Sequence, residues 1–135
     1  MKITENFQAG EFACKDKART PYPSKWIDSR LHPLCEVLEK IRGKVGRALV
    51  IKSGYRTPDH NAKQPGAAKN SQHMKGTAAD FRCVNSKGTV FIGPRQLYQI
   101  VEKMIKDGEI PDGGLGSYPA HVHYDIGPAG RRWKI

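Results

Sequence analysis

The chain has no apolar run near the roughly 18 residues that a membrane-crossing helix needs, so no such span is expected. Its opening, Met1-Lys2-Ile3-Thr4-Glu5, runs straight on to Phe7 and Glu11 without the apolar stretch of a secretory signal. The expectation is synthesis in a cytoplasm, with another agent carrying or releasing the protein if it works outside one. There are only three cysteines, Cys14, Cys35 and Cys83, and none lies in a CxxC. That excludes a disulfide framework and argues against a thiolate metal site. Cys35 reads as a small apolar core residue on a helix. One Cys14–Cys83 bridge is conceivable, although a cytoplasmic origin argues against it. Acidic residues are scarce, 13 against 23 lysines and arginines, which leaves a formal net charge of +10. A surplus of this size fits either an anionic partner or a solvated basic face. The basic residues are spread from Lys2 to Lys134 with no run of five, and no helix-turn-helix or aromatic RNA-binding signature is present. Nucleic acid is therefore not the expected partner.

What is present is enough for one core. The 135 residues are 38% apolar and 27% charged, without repeat, low-complexity tract or linker, and a single domain over 1–135 is expected. Residues 1–28 read as loop, with Pro21 and Pro23 breaking any helix. Asp28 or Ser29 reads as the N-cap of a helix carrying Leu31, Leu34, Cys35, Leu38 and Ile41 on one stripe and ending at Gly43. Ala48–Ser53 reads as a strand, 54–76 as a long irregular loop, and Thr77–Val84 as a second strand. Thr89–Ile92 reads as a short edge strand. Pro94 opens a second helix, with Leu97, Ile100, Val101, Met104 and Ile105 on one face and Gly108 as its stop. Pro111–Gly116 reads as a turn-rich approach to a last strand, His121–Ile126. Two main helices and about four strands without βαβ alternation predict an α+β fold with a small, mostly antiparallel sheet.

The chemistry is concentrated in two short segments, S-Q-H-M-K-G-T-A-A-D (71–80) and H-V-H-Y-D (121–125). Side chains alternate along a strand, so His121, His123 and Asp125 share one face while Val122 and Tyr124 take the other. Two imidazoles and a carboxylate in a row are poor core material unless each finds a partner. A divalent metal resolves this. Imidazole and carboxylate are zinc ligands, and a hydrolytic zinc keeps three of them and an open position. His73, Asp80 and one histidine of the last strand supply such a set.

The strings S-G-Y-R (53–56), S-x-H-x-x-G-x-A-x-D (71–80) and G-x-G-x-Y-P…H-V-H-Y-D-I-G…R-R-W (114–133) resemble the zinc D-Ala-D-Ala metallopeptidases. These are bacterial and phage peptidoglycan peptidases that share an α+β fold with the hedgehog signalling domain. The N-terminal F-x-x-x-E-F-A-C (7–14) extends the resemblance to nearly the whole chain. It implies one Zn2+ per chain, with His73, Asp80 and His123 as ligands. It implies that Arg56 holds a substrate carboxylate or the carbonyl oxygen near the metal, and that Ser71 and Gly76 form the turn that aims His73. Many members carry an acidic general base three positions before the last ligand, where this chain has Ala120.

Two residues on the ligand's face offer replacements. His121 has an ordinary pKa suited to proton transfer near neutrality. Asp125 offers either a base or an acceptor for the second ring N–H of a ligating histidine. The expected catalytic residues are thus His121, Arg56 and Asp125, with Arg56, Ser71 and Tyr118 contacting substrate. Tyr55 is a further candidate for the cleft wall, His60 and His32 are expected at the surface, and Trp26 and Trp133 in core or rim. The terminal R-R-W-K-I offers charge to an anionic wall polymer. The resemblance implies a zinc peptidoglycan peptidase, either D-Ala-D-Ala carboxypeptidase or endopeptidase. With the basic charge, it points to a monomeric phage lysin (an endolysin) that reaches the bacterial cell wall through a holin-like, membrane-permeabilising protein. The alternative is a non-catalytic peptidoglycan-binding module with a structural zinc.

Overall fold

A computed structural model describes all residues, 1–135. The first segment forms a small hairpin, β1 (Lys2–Thr4) and β2 (Phe7–Gln8), followed by a 3-10 turn over Ala9–Phe12. Helical backbone begins at Ser24 as a 3-10 turn, continues as a π turn over Ile27–Leu31, and becomes α1 at His32–Val45. The expected α-helical start at Asp28 or Ser29 is therefore corrected to His32. Its expected end at Gly43 moves to Gly46, whose φ of +69° gives the left-handed cap that stops a helix. Leu34, Cys35, Leu38 and Ile41 are buried on one stripe, as the spacing predicts.

Eight strands replace the four expected. A mixed sheet has the order β3 (Ala48–Ser53), β4 (Ala78–Val84), β7 (Val122–Asp125), β6 (Gly114–Ser117), β8 (Arg131–Lys134), and β5 (Val90–Ile92) pairs with β4. All its pairings are antiparallel except β6–β8, so the fold is α+β with a mostly antiparallel sheet. β6 occupies the segment expected to be a turn, and β8 was not expected at all. The 54–76 segment is also more regular than expected. It holds the short helix α2 (Pro58–Ala62) and a 3-10 turn over Gln72–Lys75.

The sheet has two unlike faces. Ala79, Phe81 and Cys83 of β4, Val122 and Tyr124 of β7, and Leu115 of β6 join α1 and α3 (Pro94–Lys106) in one apolar core. The intervening residues of β4 and β7 point the other way, and the 54–76 segment crosses that second face. Cys14, Cys35 and Cys83 are all buried and free, so the conceivable Cys14–Cys83 bridge is not formed. Burial pushes the Cys35 thiol up to about 12, which leaves it protonated and inert.

Candidate metal centre

Alternation along β4 and β7 puts Asp80 and His123 on the second face, and they are direct cross-strand partners. His73 is brought above them by the 3-10 turn that Ser71 caps, the Ser71 hydroxyl accepting from the His73 backbone N–H at 3.1 Å. Asp80 Oδ1 then lies 3.1 Å from His73 Nε2 and 3.0 Å from His123 Nδ1. All three side chains are buried, and their ligand atoms lie within 4.8 Å of one another.

The outer nitrogens of both rings are committed elsewhere. His73 Nδ1–H donates to the Gly54 carbonyl at 2.7 Å, and His123 Nε2–H donates to Asp125 Oδ2 at 2.7 Å. A carbonyl or carboxylate oxygen only accepts, so each ring must carry its hydrogen on that side. The inner nitrogens of the neutral rings therefore present lone pairs to the same region as the Asp80 carboxylate. Three electron-rich groups facing one another in a buried place call for positive charge. The two spacings to Asp80, 3.1 and 3.0 Å, are within a few tenths of an ångström of the roughly 3.3 Å that tetrahedral ligation at about 2.0–2.1 Å implies. The residues present fit a divalent metal with His73, Asp80 and His123 as its holders.

The electrostatics show a place that favours positive charge, whether a proton or a metal ion. Burial pushes the Asp80 carboxyl up, but the His73 and His123 imidazoles outweigh it and hold the group far below the ordinary carboxylate range. Burial lowers the His123 pKa, and the bonds to Asp125 and Asp80 more than reverse this. Burial likewise opposes ionisation of Asp125, yet His123 and Arg131 hold it near 2. Asp125 is fully buried against Arg131 and the backbone N–H groups of Gly114 and Gly127. It faces the outer nitrogen of His123 and makes no hydrogen bond to Asp80 or His73.

Arg56 and His121 stand on the other oxygen of Asp80. Arg56 Nη2 lies 3.4 Å from Asp80 Oδ2, and His121 Nε2 lies 3.6 Å from it. Burial lowers the pKa of His121 further than Asp80 raises it. Arg56 is held by Ser53 Oγ at 3.2 Å and Asn61 Oδ1 at 3.3 Å, and its backbone N–H donates to the His73 carbonyl at 3.1 Å. Gly54 is obligatory beside it, since a Cβ there would stand 2.7 Å from the Phe12 Cα. The N-terminal segment thus abuts the residue whose carbonyl anchors His73.

These groups open on a cleft of about 580 Å³ walled by Gln64–Ala68 on one side and by Tyr118, His121 and Trp133 on the other. Ser71 and Tyr118 both line it. Tyr55 does not; it packs edge-on against Tyr22 and Trp26. His60 contacts Gln64 within the segment, and His32 pairs with Glu36 at the start of α1. The terminal basic run is largely occupied internally, Arg131 by Asp125 and Arg132 by Glu102 and Asp112, while Lys134 lies over the Tyr98 ring. That leaves less free charge for an outside polymer than the sequence suggests. Sequence reasoning left Asn61 in the site loop without a role, although Thr57-Pro58-Asp59 is a helix-start signature that would have put it on α2. It also missed Arg131 as the partner of Asp125, for which the sequence carries no local signal.

Comparison with known proteins bears on the same residues. The family described as Peptidase M15 matches residues 5–125. The chain is 33% identical over 108 residues to the peptidoglycan L,D-endopeptidase MepK of Escherichia coli (strain K12), a stretch covering 74% of this chain and 52% of that protein. It is 33% identical over 87 residues to the probable peptidoglycan L,D-endopeptidase MepK of Haemophilus influenzae, covering 60% of this chain and 40% of that one. The chain spans about half the length, or less, of the curated relatives it matches. Because the family match runs from β2 through the Gly54 anchor and all three converging side chains, the chain belongs to the peptidase M15 family.

Proposed function

We propose that this chain hydrolyses a peptide bond in peptidoglycan stem or cross-link peptides that contain D-amino acids, using zinc held by His73, Asp80 and His123. The observation that carries the reading is the convergence of two lone-pair nitrogens and a carboxylate whose orientations are fixed from outside by Gly54 and Asp125. Zinc bound there supplies Lewis-acid chemistry, polarising a carbonyl oxygen and acidifying water to a pKa of about 7. The protein's own groups supply the rest. His121, kept neutral at pH 7 by burial, takes a proton from the attacking water and returns it to the leaving amine. Arg56, already fixed by Ser53 and Asn61, turns its remaining N–H donors toward a substrate oxygen or carboxylate. Asp125 keeps the His123 ring in the tautomer that frees Nδ1.

The name of the relatives favours an endopeptidase acting at an L,D bond over trimming of a terminal D-Ala. Work as a phage-type lysin is a narrower form of the same proposal, resting on the basic charge.

Purified peptidoglycan incubated with the metal-loaded chain should gain free amino groups, and a chelator should stop the release. Mass analysis of the fragments then gives the bond. His73→Ala should lose metal and hydrolysis together, and unchanged metal stoichiometry in that variant overturns the ligand set. His121→Ala should keep its metal and slow turnover by roughly 10²–10⁴-fold. No release anywhere between about pH 6 and 9 would leave the non-catalytic binding module, the reading that Ala120 favours.

A further inference from the structure

Trp133 sits on β8, an edge strand of the sheet, yet its indole reaches the cleft. The register explains how. Trp133 is level with Gly116 of β6, which is in turn opposite His123 of β7. Gly116 has no side chain, and a Cβ there would stand 2.3 Å from Trp133 Nε1. The indole leans across that bare backbone until its ring centre is 5.0 Å from that of His123. Its N–H then donates to the Tyr118 hydroxyl at 2.8 Å.

Tyr118 is itself tied to His121 twice. Its backbone N–H donates to the His121 carbonyl at 2.9 Å, closing the turn between β6 and β7. Its ring stacks on the imidazole with centroids 4.5 Å apart and planes 16° from parallel. The opposite end of that imidazole, Nε2, is the atom 3.6 Å from Asp80 Oδ2. His121 lies just outside β7 and has no hydrogen bond short enough to lock its rotamer, so the stack is the contact that holds its plane.

The geometry points to Trp133 as a positioning residue that pins the Tyr118 ring by its hydroxyl and, through the stack, holds the His121 imidazole toward Asp80. The inference rests on the reading of His121 as the proton-transfer group. A misaligned base costs turnover more than binding, since orientation in the transition state is what is lost. A Tyr118 that only walls the substrate site would do the reverse and raise KM.

The test uses the full, metal-loaded chain with Trp133→Phe, Tyr118→Phe and the double variant, assayed on solubilised muropeptide dimers. Both single changes keep an aromatic ring, and a metal stoichiometry equal to that of the unaltered chain reports that the centre is intact. Each single change should lower kcat about tenfold with KM held within about twofold, and the double change should be no slower than the slower single. Nuclear magnetic resonance gives a readout apart from activity. Trp26 and Trp133 are the only tryptophans, so Tyr118→Phe should move one of two indole N–H signals, and Trp133→Phe should move the ring signals of His121. Unmoved His121 signals, multiplying losses in the double variant, or a raised KM with kcat intact would each overturn the positioning role. If His121→Ala keeps full turnover while Trp133→Phe still moves the His121 ring, the proton-transfer reading falls and the positioning stands.

Discussion

Asp125 shows how much one side chain is asked to do in this centre. Fully buried, it accepts from the outer nitrogen of His123 and from two backbone N–H groups while Arg131 closes over it. Its ordinary value is 3.8, and in the folded chain it is held near 2. Between those values the unfolded chain binds more protons than the folded one, so the stability Asp125 contributes is fully present above about pH 4 and is lost as pH falls toward 2. Urea midpoints measured on metal-free protein from pH 7 downward should fall in that window. Asp125→Asn should start lower and fall less, and an equally steep fall in that variant would remove Asp125 as the cause. The face of this residue is legible in H-V-H-Y-D, because alternation alone sets it beside His123. Its burial and its guanidinium partner are not legible, because Arg131 arrives from a strand whose pairing with β6 is set by the whole sheet.

At the scale of elements, the long apolar stripes of α1 and α3 and the β-branched centre of β3 could be read directly, since each buries one face in the common core. β6 could not. Gly114 and Gly116 weaken strand propensity, and they are there because Asp125 with Arg131 at the first, and Trp133 at the second, occupy the space where side chains would stand. A glycine-rich strand next to a centre of this kind marks a close approach, and the sequence shows the glycines but not what approaches. Gly116→Ala tests this. The added Cβ meets the Trp133 indole, which must swing outward or push β8 off β6. Overpacking of this kind costs about 1–3 kcal/mol, to be read as a lowered denaturant midpoint, while the donors of His73, Asp80 and His123 stay in place and metal stoichiometry is kept. An unchanged midpoint would mean that the indole does not rest against β6.

At the scale of the molecule, the question is where a net charge of +10 is left to act. Six of the 13 acidic residues are paired within the fold: Asp80 and Asp125 in the centre, Glu102 and Asp112 on Arg132, Asp107 on Lys103, Glu109 on Lys44. The surplus is therefore a property of the basic residues that remain on the outside, spread over the chain and not gathered in the terminal run. Such a field holds a polyanionic surface without specific contacts, and it is screened once the Debye length shrinks from about 10 Å at 0.1 M salt to about 3 Å at 1 M. Cosedimentation of the chain with intact, anionic-polymer-bearing wall should accordingly fall steeply over that range. Hydrolysis of small soluble muropeptides should change little, because Arg56 and the metal-holding residues are partly or wholly buried and act at contact distance. Retention on the wall that ignores salt, or that survives removal of the anionic polymers, would locate binding in a defined site, and the charge surplus would then serve solubility alone.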